Sequence, residues 1–144
     1  MRFFFYGTLL DRDVMAMVIG RRLPPMAFAP AILPGHVRRR VKGASYPIAV
    51  QERREEIHGM VVVGFSARDV ARLSAYEGPR YRIASLKVKL RGALSTVSVF
   101  EPVEERFQPT SGAWSLTLWQ RRDKQMFLGR LRRAVSARPA YSTR

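Results

Sequence analysis

Two short segments of this chain carry residue types that could do chemistry. The first is Tyr6-Gly7-Thr8-Leu9. It follows a short apolar run and precedes a helical pattern, so Gly7 permits a turn whose backbone N–H groups face open space. Such groups can hold a carboxylate or a polarised carbonyl oxygen without a cationic side chain. An ordinary strand–turn–helix connection carries the same signature. The second segment runs from Leu73 to Arg82, with Glu77-Gly78-Pro79 at its centre. In helical register Val70, Leu73 and Glu77 stand at i, i+3 and i+7, and the two apolar residues make their shared face the buried one. Glu77 then continues an apolar stripe inward. Burial and the negative end of the helix dipole both favour the protonated acid and raise its pKa. A carboxyl titrating near neutrality can take a proton and return it. The alternative is a solvated glutamate at a fraying helix end, paired with Arg80 or Arg82.

Certain elements must position these segments. Arg2–Tyr6 reads as a buried strand and Asp11–Gly20 as a short helix closed by glycine. Residues 21–35 are Pro-rich and read as irregular and extended, with one strand around Ala27–Leu33. Val37–Lys42 and Ile48–Gln51 read as strands on either side of the turn-like Gly43-Ala44-Ser45. Glu56–Phe65 has a β-branched centre and reads as a central strand. Ser66 and Asp69 have capping-box spacing, with aspartate in place of glutamate, and the helix they start stops at Gly78-Pro79. Leu86, Val88 and Leu90 alternate with Lys87, Lys89 and Arg91 as in a half-buried strand, which pairs across Gly92 with Thr96–Phe100. Leu116 to about Val135 reads as one C-terminal helix, and the last nine residues as a frayed basic tail. About six strands and three helices result. They do not alternate regularly, so an α+β domain with a mixed, strongly curved sheet is expected instead of a doubly wound one.

The rest of the composition narrows the chemistry. The chain has 144 residues, 47% hydrophobic and 26% charged, which is globular composition for a single domain. There is no cysteine, so thiol nucleophiles, disulfides and cysteine-ligated metals are excluded. His36 and His58 are too far apart in sequence to be a metal pair on one element. The glycine-rich phosphate loops and the nucleophile elbow of serine hydrolases are missing. No metal or cofactor is expected. The longest uncharged stretch, Leu23–Val37, contains four prolines and does not read as a membrane span. A cytoplasmic protein is expected.

The formal net charge is +15, and residues 121–144 carry eight basic residues against one acid. This balance favours weak, salt-sensitive contact with polyanions. Arg38-Arg39-Arg40, Lys42 and the C-terminal cations are the residues concerned. They also support a competing reading, a non-catalytic binding protein for nucleic acid or another polyanion, although aromatic residues are not interleaved for base stacking. The C-terminal segment holds no acid or base except Asp123 and reads as dispensable for chemistry.

Taken together, the two segments resemble the gamma-glutamyl cyclotransferase-like family, of the gamma-glutamylamine cyclotransferase type. The resemblance rests on Tyr6-Gly7-Thr8-Leu9 after an N-terminal strand and on Glu77-Gly78 followed by Tyr81-x-Arg82. Tyr46-Pro47 and His58-Gly59 also resemble family positions, while Ser74 stands where the family often has aspartate. The likeness spans roughly residues 1–120. It implies a small mixed β-barrel with helices packed outside, in a domain of residues 1–135. It implies a cofactor-free reaction in which a γ-glutamyl group closes to 5-oxoproline and releases an amine or amino acid. Glu77 would be the general acid and base. Tyr6, Gly7, Thr8, Leu9 and Tyr81 would bind the substrate.

Overall fold

The structure is a computed structural model that describes residues 1–103 and 107–137. Its first strand, β1 (Phe3–Phe5), is fully buried. The reason is in the alternation. Phe3 and Phe5 pack with helical residues such as Val14, Met15 and Leu73, while Phe4 and Tyr6 cluster with strand residues, including Leu33, Ile57, Val88 and Val99. The strand is thus apolar on both faces because one faces the helices and the other the interior of a barrel.

The barrel is completed by β2 (Phe28–Arg40), β3 (Pro47–Val62), β4 (Tyr81–Leu90) and β5 (Ala93–Pro102), closing in the order β1-β3-β2-β4-β5. All neighbours are antiparallel except β1 and β5, which are parallel. The helices are α1 (Arg12–Ile19), α2 (Ala67–Glu77), α3 (Leu116–Arg122) and α4 (Lys124–Ser136). They pack outside, against the side of the barrel that carries Phe3, Phe5, Val62 and Phe100. This is one α+β domain with a mixed barrel.

Among the described residues, five strands and four α-helices replace the expected six and three. The segments 27–33 and 37–42 form one strand, β2, and the segments 48–51 and 56–65 form one strand, β3, which ends at Val62. The ladder between them shifts register between Pro34 and His36, so a bulge bends β2 without ending it. Pro30 and Pro34 are tolerated because β4 pairs with β2 only at Ala31 and Ile32, leaving most of that edge without a ladder. The expected turn at 43–45 does connect β2 to β3. The C-terminal helix is two helices, broken at Asp123. The proposed frayed tail falls mostly on residues 138–144, outside the described residues.

Local chemistry fixes both ends of the elements beside the site. Asp11 caps α1 by accepting from the amides of Asp13 and Val14. Ser66 and Asp69 form the reciprocal capping box of α2, and Asp69 also pairs with Arg21 at 2.6 Å. β1 lies unusually close to β3. A Cβ on Gly59 would stand 2.3 Å from the Phe5 carbonyl oxygen and 2.7 Å from the Phe4 ring.

Candidate active site

β1 ends at Phe5, and the chain then turns through Tyr6 and Gly7 into a single 3-10 turn at Thr8–Leu10. Gly7 has φ −121°, so no left-handed conformation demands glycine there. Proximity does: a Cβ would lie 3.3 Å from Cδ of Pro47. The amides of Leu10 and Asp11 donate to the carbonyls of Gly7 and Thr8. Among the described residues, no hydrogen bond within the protein engages the amides of Gly7, Thr8 or Leu9. Three uncommitted N–H groups therefore stand in sequence where the chain leaves the barrel.

Opposite this turn is the end of α2. Leu73 is wholly buried and Val70 packs on the same core, which carries the next turn of that face inward. Glu77, the last residue of α2, lines one cavity together with Tyr6, Gly7, Thr8, Leu9 and Tyr81. The cavity measures about 240 Å³. Its remaining walls are largely aromatic, from Phe4, Phe5, Tyr46, Tyr76, Phe100 and Phe127. Glu77 keeps part of its surface on the cavity, and its carboxyl is otherwise enclosed by protein. Burial pushes that carboxyl up to about 8. Among the described residues no ion pair offsets the burial. Arg82 pairs instead with Glu101 at 2.8 Å, and Arg80 reaches the Tyr46 hydroxyl at 3.3 Å.

The tyrosines around Glu77 remain neutral donors. Burial, and after it the Glu77 charge, raises the Tyr6 and Tyr76 hydroxyls above their ordinary value. Burial raises Tyr81 in the same direction, followed by the neighbouring Tyr6 and Glu77. The Thr8 hydroxyl and the Tyr76 hydroxyl lie 2.7 Å apart, so the turn and the helix end share a hydrogen bond. The loop's entry is held by Arg38, whose guanidinium donates to the Tyr6 carbonyl at 3.1 Å and the His58 carbonyl at 2.9 Å. Arg38 is therefore a partly buried tie between strands, with its pKa lowered by burial, whereas Arg40 at the end of the run is exposed. Neither histidine lines this cavity. His58 pairs with Glu56 at 3.0 Å on the surface, and His36 Nδ1 lies 3.0 Å from the Pro34 carbonyl. Among the described residues no cluster of three His, Asp or Glu side chains could hold a metal ion.

A sequence model of the gamma-glutamyl cyclotransferase, AIG2-like family matches residues 3–116. The chain belongs to this family. AIG2-like protein A of Arabidopsis thaliana is 28% identical over 127 residues, covering 87% of this chain and 75% of the relative. AIG2-like protein B of the same plant is 25% identical over 127 residues, covering 87% and 72%. A solution structure of an Arabidopsis thaliana protein superposes with TM-score 0.64 at 26% identity, covering 95% of this chain and 91% of that one. A structure titled gamma-glutamyl cyclotransferase superposes with TM-score 0.56 at 16% identity, covering 75% and 68%, and shares the fold.

The family match ends where α3 begins, so α3 and α4 lie almost wholly beyond it. They nevertheless reach the site. Phe127 of α4 lines the cavity and meets the Tyr76 ring edge-on at 6.4 Å. Gln120 and Lys124 both bind the Asp11 carboxylate, each at 2.9 Å, and Lys124 also reaches Asp13 at 2.7 Å. Burial alone would raise Asp11, but the Lys124 and Gln120 hydrogen bonds outweigh it and lower its pKa. The C-terminal segment, expected to be dispensable for chemistry, thus reaches the cavity wall through Phe127 and the α1 cap through Lys124. The sequence marks Phe127 as an apolar anchor of the C-terminal helix, but nothing in it places that ring on the cavity. Tyr76 was within reach, since it sits three residues after Leu73 on the same buried face.

Proposed function

We propose that the protein is a cyclotransferase, closing a γ-glutamyl group to 5-oxoproline and releasing an amine or amino acid without a cofactor. The observation that carries this reading is a desolvated carboxyl, Glu77, in one small cavity lined also by Gly7, Thr8 and Leu9, whose backbone amides have no partner among the described residues. Family membership supplies the class of reaction. The physics of the site suits it. Nucleophile and electrophile belong to one molecule, so the cavity has only to hold a cyclisable conformer.

The proton inventory closes. The substrate's α-ammonium, with an ordinary pKa near 8, gives its proton to ionised Glu77. Its nitrogen then attacks the γ-carbonyl carbon, forming the ring C–N bond and placing negative charge on the carbonyl oxygen. The amides of the Tyr6–Leu9 turn stabilise that oxygen. Glu77 gives that proton to the leaving nitrogen as the original amide C–N bond breaks, then takes the second proton that the cationic ring nitrogen must shed to become the lactam N–H, and passes it to the departing amine or to water, which restores the carboxylate. A carboxyl at about 8 is matched to the amine, so the proton is shared at little cost in either direction. Tyr81, a neutral donor, positions the substrate. With no cysteine to oxidise, the protein suits a reducing cytoplasm.

The test is a screen of γ-glutamyl compounds for released 5-oxoproline. Turnover is expected, with a bell-shaped pH profile centred near 8, because the Glu77–amine pair must hold one proton between them. No 5-oxoproline from any γ-glutamyl compound would overturn the reading.

A further inference from the structure

Two further cavities share walls with this one, and they differ in how they join it. One, of about 370 Å³, contains His36, Gln51, Arg82 and Glu101. It shares Tyr6 and Phe100 with the site, and both are buried at 6% and 5% exposure, so they form a closed wall. The other is an open groove along Val41–Ala44 and Gln108, which shares Tyr46 and Arg80 with the site. Tyr46 is half-buried and Arg80 exposed, so this side is the mouth.

Among the described residues the mouth is cationic. Arg80 and Lys42 are the charged residues lining the groove, and no carboxylate lines it among the described residues. The Arg80 guanidinium is also held in place. It donates to the Tyr46 hydroxyl at 3.3 Å and lies 5.2 Å from the Phe107 ring centre, and Phe107 in turn packs on Tyr46 and Tyr81. Among the described residues it has no ion-pair partner, unlike Arg21, Arg22 and Arg82. A guanidinium held against the Phe107 ring and the Tyr46 hydroxyl, with no ion-pair partner among the described residues, presents a fork that matches a carboxylate.

The chemistry assigns what meets it. If Glu77 serves both nitrogens and the turn amides hold the carbonyl oxygen, the leaving group extends away from both, through the mouth and past Arg80. Resting on the cyclotransferase reading, we propose that Arg80 is a specificity-determining residue that selects leaving groups bearing a free carboxylate, amino acids or short peptides, over neutral or cationic amines. The released amino acid then carries its carboxylate out along Lys42.

The experiment compares kcat/KM for γ-glutamylglycine, γ-glutamylmethylamide and the γ-glutamyl derivative of a diamine, in the wild type, Arg80→Gln and Arg80→Lys. The wild type should favour γ-glutamylglycine over the methylamide by about tenfold, the scale of one exposed charge-assisted hydrogen bond, and should turn over the diamine derivative least. Arg80→Gln should collapse that ratio and Arg80→Lys should keep most of it. A ratio measured within one preparation is insensitive to a partly misfolded fraction. Should Arg80→Gln not fold at all, the wild-type ratio still has to fall with added salt. The proposal is overturned by a wild-type preference for either amine, by a salt-independent ratio, or by a ratio unchanged in Arg80→Gln, which would place Arg80 on the glutamyl part common to all three substrates. No release from any of the three compounds would overturn the cyclotransferase reading itself, a separate outcome.

Discussion

Replacing Glu77 by glutamine should make the protein more stable in alkaline solution while removing its turnover. The carboxyl is raised to about 8 from 4.5 by burial alone. Between these values the folded chain keeps a proton that the unfolded chain has released, so stability falls as pH rises, by about 1.4 kcal/mol per unit. The contribution is whole below about 4.5 and gone above about 8. The full shift would correspond to about 5 kcal/mol. Glu77 retains surface on the cavity, where water shares the charge, and this reduces the expected value to about 2–3 kcal/mol. At pH 5 the folded carboxyl is still protonated and the amide is its near-isostere, so Glu77→Gln should melt only about 2–3 °C above wild type, the part of the loss already incurred above 4.5. At pH 8.5 the variant, which has no charge to bury, should melt about 6–10 °C higher. The assay is a pair of calorimetric Tm series from pH 5 to 9, in which every other titrating group cancels in the difference. In the same preparations 5-oxoproline release should fall by about 10²–10⁴-fold, the usual worth of general acid–base catalysis. A Tm difference that does not change with pH would refute the desolvation argument. Equal turnover would remove Glu77 from the chemistry.

Three further perturbations test the frame around the site. Gly59→Ala should destabilise by about 3 kcal/mol in urea unfolding, because its Cβ meets the Phe5 carbonyl, a backbone atom that cannot turn aside; a neutral effect would mean that β1 and β3 can separate freely. Asp11→Ala should cost about 2–4 kcal/mol, since it removes the α1 cap and leaves Lys124 and Gln120 without their shared partner. Asp11→Asn, which keeps the cap oxygen, should lose less by the same measurement. A chain cut after Val135 should turn over like the full one, because Phe127, Leu128 and Leu131 remain; one cut after Asp123 should lose its cooperative melt, because it loses that apolar face.

What was legible in the sequence was whatever depends on local pattern. The i, i+3, i+7 spacing of Val70, Leu73 and Glu77 sets the face of a helix, and helical geometry leaves no choice about where the glutamate then points. The Ser66–Asp69 box and Gly78 bound that helix by backbone hydrogen-bonding rules that operate within a few residues. The long strands β2 and β3 were not legible for the opposite reason. Pro30, Pro34 and Gly35 look like breakers when each is judged alone, and only the sparse pairing of β2 with β4 makes them harmless. Arg38 was hidden by its neighbours. In a run of three arginines nothing marks the one whose charge turns inward to two carbonyls, because those carbonyls belong to Tyr6 and His58, far away in sequence. The same holds for Phe127, Gln120 and Lys124. Their roles exist only once α4 has docked against α1, and no periodicity of a basic helix announces where it will dock. The site is therefore built on two scales. Its candidate reacting groups sit on short, readable motifs, while the walls and ties that hold those motifs within reach of one another come from contacts across the whole chain, including helices that extend past the family's matched span.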